Sequence, residues 1–284
     1  MRTRRIEVPG ASITVREWGD DGIPLLYWHG LNPFGALELN EAGPAWAADG
    51  FRVVAFAAPG IADPTTLADL DAYRPSRLAD VVVATADRLG IGRFAYVGWS
   101  WGASIGVHLG VRRGSRLAAL VLLDAGHTDI PGDPRRTLDD VLTDIGEQHE
   151  RYKFAGWDEF LAAARESRHR WRPALERRLR AGMREVDGSV VASSDWRAAA
   201  AAWHGLLQEQ PSSTHSVLGH MELPTLLVLA AGNDTAAEAE RFRKAVPHAE
   251  LRSIASGHDL LADAPEETIA LVSEWLRFVI ARPH

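Results

Sequence analysis

The chain of 284 residues contains no cysteine, which excludes a disulfide framework, a thiolate nucleophile and a Cys-based metal site. It also lacks a surplus of positive charge. Its 31 basic and 38 acidic residues give a net charge of -7, which argues against nucleic acid as a partner. No apolar run approaches the length of a membrane span, and the basic start at Met1–Arg5 is not followed by the apolar segment of a signal peptide. We therefore expect a cytoplasmic protein without a membrane partner.

Cofactor-binding patterns are missing as well. The chain has neither the glycine-rich dinucleotide fingerprint nor a phosphate-binding loop, and its 11 histidines include no H-x-x-x-H pair. We expect no cofactor and no metal, and a small molecule as the substrate. What the chain does have is 46% hydrophobic residues, which is ample for one large domain or for a domain with an inserted lobe.

Strand-like and helix-like segments alternate through most of the chain. Apolar or alternating runs predict eight strands, and amphipathic segments between them predict helices. Such alternation predicts an α/β fold, a doubly wound and mostly parallel eight-stranded sheet with helices on both faces. The predicted strands span residues 4–8, 12–18, 24–28, 51–57, 94–97, 117–123, 224–230 and 250–254. Between about 131 and 209 the alternation stops, and the sequence there predicts helices without a strong strand.

One serine stands between a predicted strand and a predicted helix. The segment Gly98-Trp99-Ser100-Trp101-Gly102 follows a buried strand and opens an apolar helix. A serine on such a sharp turn projects its hydroxyl above the sheet, and glycines on both sides avoid clashes. A second Gly-x-Ser-x-Gly match centred on Ser104 lies one turn inside the helix, where we interpret the small residues as helix packing. Context therefore selects Ser100 as the candidate nucleophile.

A nucleophilic serine needs a base and usually a carboxylate that orients the base. Because catalytic groups collect at the carboxyl ends of parallel strands, we look for acids and histidines directly after predicted strands. Asp234 follows the strand at 224–230, and His258 follows the strand at 250–254. We favour these two as partners of Ser100 and keep Asp124, which follows the strand at 117–123, as the alternative acid.

These motifs together resemble the α/β-hydrolase family. His29-Gly30 resembles its oxyanion loop, the Ser100 segment its nucleophile elbow, and Gly257-His258 with the later Pro265-Glu266 its C-terminal ending. The resemblance implies a helical cap, which we place at 131–215, inserted after the sixth strand into a core formed by 1–130 and 216–284. One departure is at Gly60, where many relatives carry Gly-x-Gly-x-Ser and this chain has Gly-Ile-Ala-Asp.

The resemblance also implies the parts of a binding site. The backbone amides of Leu31 and Trp101 are expected to form the oxyanion hole. The remaining candidates for a largely apolar substrate pocket under the cap are His29, Asn32, Phe34, Trp99, His127 and Trp203.

The leading functional hypothesis is a serine hydrolase that cleaves an ester, lactone or thioester of a small hydrophobic substrate through an acyl-enzyme. The alternatives are an acyl transferase, cyclase or biosynthetic thioesterase, a peptidase of the prolyl aminopeptidase type, and a ligand receptor on a hydrolase scaffold. An arginine-rich run at 165–184 in the lobe has two interpretations, a solvated helix face or a docking face for an anionic acyl carrier. Contact with a carrier or with a second copy of the chain is left open.

Overall fold

The computed structural model describes residues 1–33, 35–151, 153–166 and 170–281, so Phe34 of the expected pocket lies outside the described residues. Eight strands form one sheet in the order β1-β2-β4-β3-β5-β6-β9-β10. Strand β2 is antiparallel to both of its neighbours, and the remaining pairs are parallel. The predicted fold class is confirmed. The bounds are β1 Arg2–Val8, β2 Ala11–Trp18, β3 Ile23–Trp28, β4 Phe51–Ala57, β5 Phe94–Trp99, β6 Leu117–Leu123, β9 Thr225–Ala230 and β10 Glu250–Ile254.

Helices cover both faces of the sheet, which explains the continuous apolar runs of its central strands. In β3, Leu26 and Trp28 belong to one core cluster, while Leu25 and Tyr27 belong to the cluster on the opposite face. Helices α2 and α3 pack on the first face, and α1 and α11 on the second. Their bounds are α1 Leu39–Ala48, α2 Pro75–Arg88, α3 Trp101–Arg113 and α11 Pro265–Ile280, with α9 Ala236–Ala245 and α10 Leu260–Asp263 completing this part of the chain. None of the helices in the described ranges is long and apolar enough to cross a membrane.

The segment between β6 and β9 forms the lobe, and it contains a hairpin that the sequence analysis missed. Strands β7 Met183–Val186 and β8 Ser189–Ala192 pair antiparallel around Asp187-Gly188, whose φ angles are 49° and 77°. Two consecutive positive φ angles are the requirement of the tightest hairpin turns, and Asp-Gly is the sequence signal for them. The expectation of a purely helical lobe is therefore corrected. Its helices are α4 Leu138–Arg151, α5 Trp157–Glu166, α6 Pro173–Ala181, α7 Trp196–Gln208 and α8 Ser212–Leu218.

Specific contacts hold the lobe on the sheet-bearing part of the chain. The amide of Asp195, at the start of α7, donates to the carbonyl oxygen of Gly60 at 2.7 Å, and Ala198 fills the space where a Gly60 side chain would lie. The loop that departs from the family pattern is therefore part of the seam with the lobe. The expected boundary at 215 falls inside α8, which packs on α3, so the domain limits stay a prediction.

Candidate active site

Ser100 lies in the strained turn that its sequence context predicts. Its φ is 53° and its ψ is -115°, between β5 and α3. The glycines on either side are required by space, since a Cβ on Gly98 would lie 2.2 Å from the carbonyl oxygen of Gly102, and one on Gly102 would lie 2.1 Å from that of Trp28. A backbone held in this region is costly for a residue with a side chain and is common at functional sites. Ser104, by contrast, is buried inside α3.

His258 and Ser100 are in hydrogen-bond contact although 158 positions separate them. The Nε2 atom of His258 lies 2.8 Å from the Oγ of Ser100. The Nδ1 atom lies 2.7 Å from the Oδ2 of Asp124, so its proton faces a carboxylate and Nε2 is left to accept from the serine. The Trp99 indole donates to the His258 carbonyl oxygen at 2.7 Å and fixes the loop that carries the imidazole.

The carboxylate against His258 is Asp124, which corrects the expectation that Asp234 fills this place. Asp124 directly follows β6, with a φ of 50° and a fully buried side chain. Its Oδ1 accepts from the amide of Ala230 at 2.8 Å, and its Oδ2 accepts from the side-chain amide of Asn233 as well as facing His258.

The reason lies in the loop after β9. That loop turns Asn233 toward Asp124 and leaves Asp234 exposed to solvent, with no hydrogen bond from any described residue. Strand β6 also lies between β5 and β9, so its carboxyl end is the nearer of the two to Ser100. Asn233 is a site residue that the sequence analysis missed, and its position in the loop directly after β9, beside Asp234, was its signal.

The two amides expected to form an oxyanion hole are free of backbone partners within the described residues. Neither the Leu31 amide nor the Trp101 amide donates to a backbone oxygen there. Trp101 is the first residue of α3, where helix geometry leaves the amide unpaired. The Gly102 amide donates to the His29 carbonyl oxygen at 3.1 Å and so joins the loop after β3 to the start of α3. Both amides are therefore available on adjoining segments.

His29 supports this loop from the protein interior. It is fully buried, its Nε2 accepts from the Ala58 amide at 3.0 Å, and its Nδ1 lies 2.6 Å from the Gly30 carbonyl oxygen. Burial lowers its pKa from 6.5 to about 4, so the ring stays neutral and joins the loops after β3 and β4. Its assignment to the pocket is corrected to a structural one.

The remaining pocket candidates divide between the site and the protein interior. The ring of Trp99 lies 5.4 Å from that of His258, which places it at the site. Trp203 packs with Val141 and Leu207 between two lobe helices, so it belongs to the lobe's own core. His127 is buried, and burial lowers its pKa. No group of three or more acidic or histidine side chains in the described ranges could hold a metal ion.

Comparison with known proteins identifies the family to which this fold belongs. A family model described as the alpha/beta hydrolase fold matches residues 23–265. The chain belongs to the α/β-hydrolase family. A search of curated proteins gives no match.

Solved structures show the same fold for this α/β hydrolase. The thioesterase domain from the curacin biosynthetic pathway is 21% identical over 96% of this chain and 99% of its own, with a TM-score of 0.73. The enol-lactonase from Burkholderia xenovorans LB400 is 18% identical over 96% and 100%, with a TM-score of 0.75. An E-2-(acetamidomethylene)succinate hydrolase is 19% identical over 97% and 99%, also with a TM-score of 0.75. Membership in this family identifies the chain as an enzyme of the hydrolase type.

Four of the eight arginines in the arginine-rich run of this hydrolase form ion pairs with acids of the lobe or of the sheet-bearing part within the described residues. Arg177 is exposed, as are two of the paired residues, Arg165 and Arg180. Arg178 is buried and pairs with Asp259, the neighbour of His258, which a solvated helix face would not show. The other pairs are Arg165 and Arg180 with Glu176 and Arg172 with Glu41. Docking of an anionic carrier on this face stays a prediction.

A buried polar cluster that the sequence analysis did not anticipate lies behind the loop after β3. Glu38 is 3% exposed, accepts from the Tyr27 hydroxyl, and accepts from the Asn32 side-chain amide at 2.7 Å. Burial raises the pKa of Glu38 to about 8; the Asp259 carboxylate reinforces this shift, and the Arg178 guanidinium opposes it. The hydrolase therefore holds a carboxyl that is protonated in much of the neutral range.

Glu38→Gln is expected to remove part of the pH dependence of stability. The folded-state pKa of about 8 lies above the ordinary value of 4.5, so folding retains a proton that the unfolded chain releases. Below about pH 4.5 Glu38 therefore makes its full contribution to the free energy of unfolding. This contribution is lost as the pH rises through about 8, and the free energy of unfolding then falls by at most about 1.4 kcal/mol per pH unit. Denaturant unfolding of both proteins from about pH 5 to 9 measures it. A difference that does not change with pH would contradict the raised pKa.

Proposed function

We propose that the chain is a serine hydrolase that cleaves an ester, lactone or thioester of a small hydrophobic substrate through an acyl-enzyme. The observation that carries the proposal is the chain of contacts from Ser100 through His258 to Asp124, with distances of 2.8 Å and 2.7 Å. This order of nucleophile, base and buried carboxylate is what acyl transfer to a serine requires.

In the proposed reaction, the Oγ of Ser100 attacks the acyl carbon while the Nε2 of His258 takes the hydroxyl proton. The Asp124 carboxylate holds the Nδ1 proton and stabilises the imidazolium that forms. The negative charge that develops on the carbonyl oxygen is met by the amides of Leu31 and Trp101. His258 then gives its proton to the leaving oxygen or sulfur, and the acyl group stays on Ser100.

Deacylation follows the same path with water as the nucleophile. His258 takes a proton from water, the resulting hydroxide attacks the acyl carbon, and Ser100 leaves with the proton that His258 returns. The His258 side chain is 47% exposed, so water reaches the base without a rearrangement of the lobe. This exposure favours hydrolysis over acyl transfer or cyclisation, which need a site that excludes water.

The substrate class follows from the residues around the serine. Leu31 and Trp99 are apolar and adjoin the expected oxyanion hole or His258, so they suit a hydrophobic acyl group, whereas the Trp101 side chain is buried in the core. The structural neighbours named a thioesterase domain and an enol-lactonase share the fold at low identity, so the substrate panel must decide among the acyl bonds.

A fluorophosphonate probe and a panel of p-nitrophenyl esters of rising acyl length test the proposal. We expect the probe to modify Ser100, as peptide mass spectrometry would show, and we expect prior labelling to abolish turnover of the esters. Folded protein that is neither labelled nor active would contradict the proposal. Labelling without turnover of any ester, lactone or thioester would favour the ligand-receptor alternative.

A further inference from the structure

The loop that presents the Leu31 amide is fixed by the side chain of the next residue. The Asn32 backbone amide donates to the Gly30 carbonyl oxygen at 2.8 Å, so the residues on both sides of Leu31 are joined. The Asn32 side chain then closes the loop, because its Oδ1 accepts from the Gly35 amide at 3.3 Å. Leu31 itself contributes no polar side chain, so the direction of its amide depends on these neighbours.

Asn32 is in turn held by Glu38, which is anchored in the core. The Nδ2 of Asn32 donates to the Oε1 of Glu38 at 2.7 Å, and the Oε2 of Glu38 contacts the Tyr27 hydroxyl. Tyr27 is fully buried in β3, two residues before His29, and its ring packs against Trp46. The bond from Asn32 to Oε1 persists in both charge states of Glu38, because a proton on Oε2 can be donated to Tyr27.

We propose that Glu38 is a positioning residue for the oxyanion hole, which acts through Asn32 to fix the direction of the Leu31 amide. The inference rests on the proposed function. A donor contributes to catalysis only when it is aimed in advance at the point where the charge develops. Glu38 is buried and has two hydrogen-bond partners, one of which, Tyr27, lies in a central strand. Such a side chain can keep the loop and its amide in a fixed direction.

A positioning role and a merely structural role of Glu38 predict different measurements. If Glu38 only stabilised the fold, its loss would lower the melting temperature and leave the properties of the folded enzyme unchanged. If Glu38 positions an oxyanion donor, its loss weakens the binding of the tetrahedral transition state while substrate binding changes little. An alkylboronic acid separates these cases, because its adduct with Ser100 is tetrahedral and places a boron-bound oxygen in the oxyanion hole.

The experiment compares four variants with the wild-type chain. Glu38→Ala and Asn32→Ala each remove the contact, Glu38→Gln keeps an acceptor toward Asn32 and a donor toward Tyr27, and Glu41→Gln is the control. Glu41 is a nearby acid that pairs with Arg172 and does not touch the loop. The measurements are kcat and KM on the best p-nitrophenyl ester, the Ki of the boronic acid, and the second-order rate of fluorophosphonate labelling.

We expect Glu38→Ala and Asn32→Ala to lower kcat and the labelling rate and to raise the Ki by ~10 to 100-fold, somewhat less than the complete loss of an oxyanion donor. The KM should stay within about threefold, and Glu38→Gln should recover most of the loss. Glu41→Gln should behave like the wild-type protein.

Several results would overturn the inference. It is wrong if both alanine variants fold and label Ser100 as fast as Glu41→Gln, or if their losses lie in KM with kcat unchanged. Should Glu38→Ala lose its cooperative unfolding transition, Asn32→Ala decides alone, since Asn32 lies in a half-buried loop outside the core. A wild-type chain that is not labelled at Ser100 contradicts the proposed function, whereas normal labelling with insensitive variants contradicts only the role of Glu38.

Discussion

Ser100→Ala is expected to lower kcat by ~10⁴ to 10⁶-fold while the protein keeps its fold and melting temperature. The loss is large because the substitution removes the Oγ that lies 2.8 Å from the Nε2 of His258. No other group is then in position to form the acyl-enzyme. At about 1.4 kcal/mol per factor of ten, it corresponds to roughly 5 to 8 kcal/mol of transition-state stabilisation. Steady-state kinetics on the best ester of the panel measure the effect.

Ser104→Ala is the matched control for this prediction. Ser104 is the centre of the second Gly-x-Ser-x-Gly match, one turn further along the same helix, and its side chain is buried. We expect it to retain turnover within a few-fold of the wild-type rate. If Ser104→Ala were the inactive variant and Ser100→Ala remained active, the nucleophile would be misassigned.

Asp124→Asn is expected to lower kcat by ~10³ to 10⁴-fold with little change in KM. The substitution keeps the size of the side chain and its acceptor toward the Ala230 amide. At the Oδ2 position, however, it places an amide NH₂ where two other donors already point, the Nδ1 proton of His258 and the side-chain amide of Asn233. The imidazole can relieve this conflict by moving its proton to Nε2, and it then cannot accept the serine proton.

Asp234→Asn is the comparison that tests the correction of the acid. Because the Asp234 side chain is exposed and receives no hydrogen bond from the described residues, we expect activity within about twofold of the wild type. The rate of fluorophosphonate labelling provides a second measurement, since only the loss of Asp124 should remove the carboxylate that faces the Nδ1 of His258. A severe loss in Asp234→Asn with a mild one in Asp124→Asn would return the role to Asp234.

The hairpin and the buried arginine are two features of the lobe that local sequence patterns do not predict. Asp187-Gly188 carried a turn signal, but the flanking β7 segment is mostly exposed and has no apolar alternation to support a strand. Arg178 lies in a run of arginines that resembles a solvated helix face. It is buried in an ion pair with Asp259, which lies in a distant part of the chain, and no local pattern could show that partner.

The sequence by itself determined the eight strands of the sheet, the turn at Ser100 and the position of His258. These features depend on local properties, which are the period of apolar residues, the glycines that a tight turn demands and the order of strand ends along the chain. Only the tertiary structure decided which carboxylate reaches His258. Asp124 and Asp234 both follow strands that end at the same edge, and the choice depends on the place of β6 between β5 and β9 and on which side chain the next loop turns inward. The hydrogen bond between Glu38 and Asn32 could not be predicted from the sequence either. No local pattern in this short loop shows that a buried carboxyl, itself bonded to Tyr27 of a central strand, contacts it.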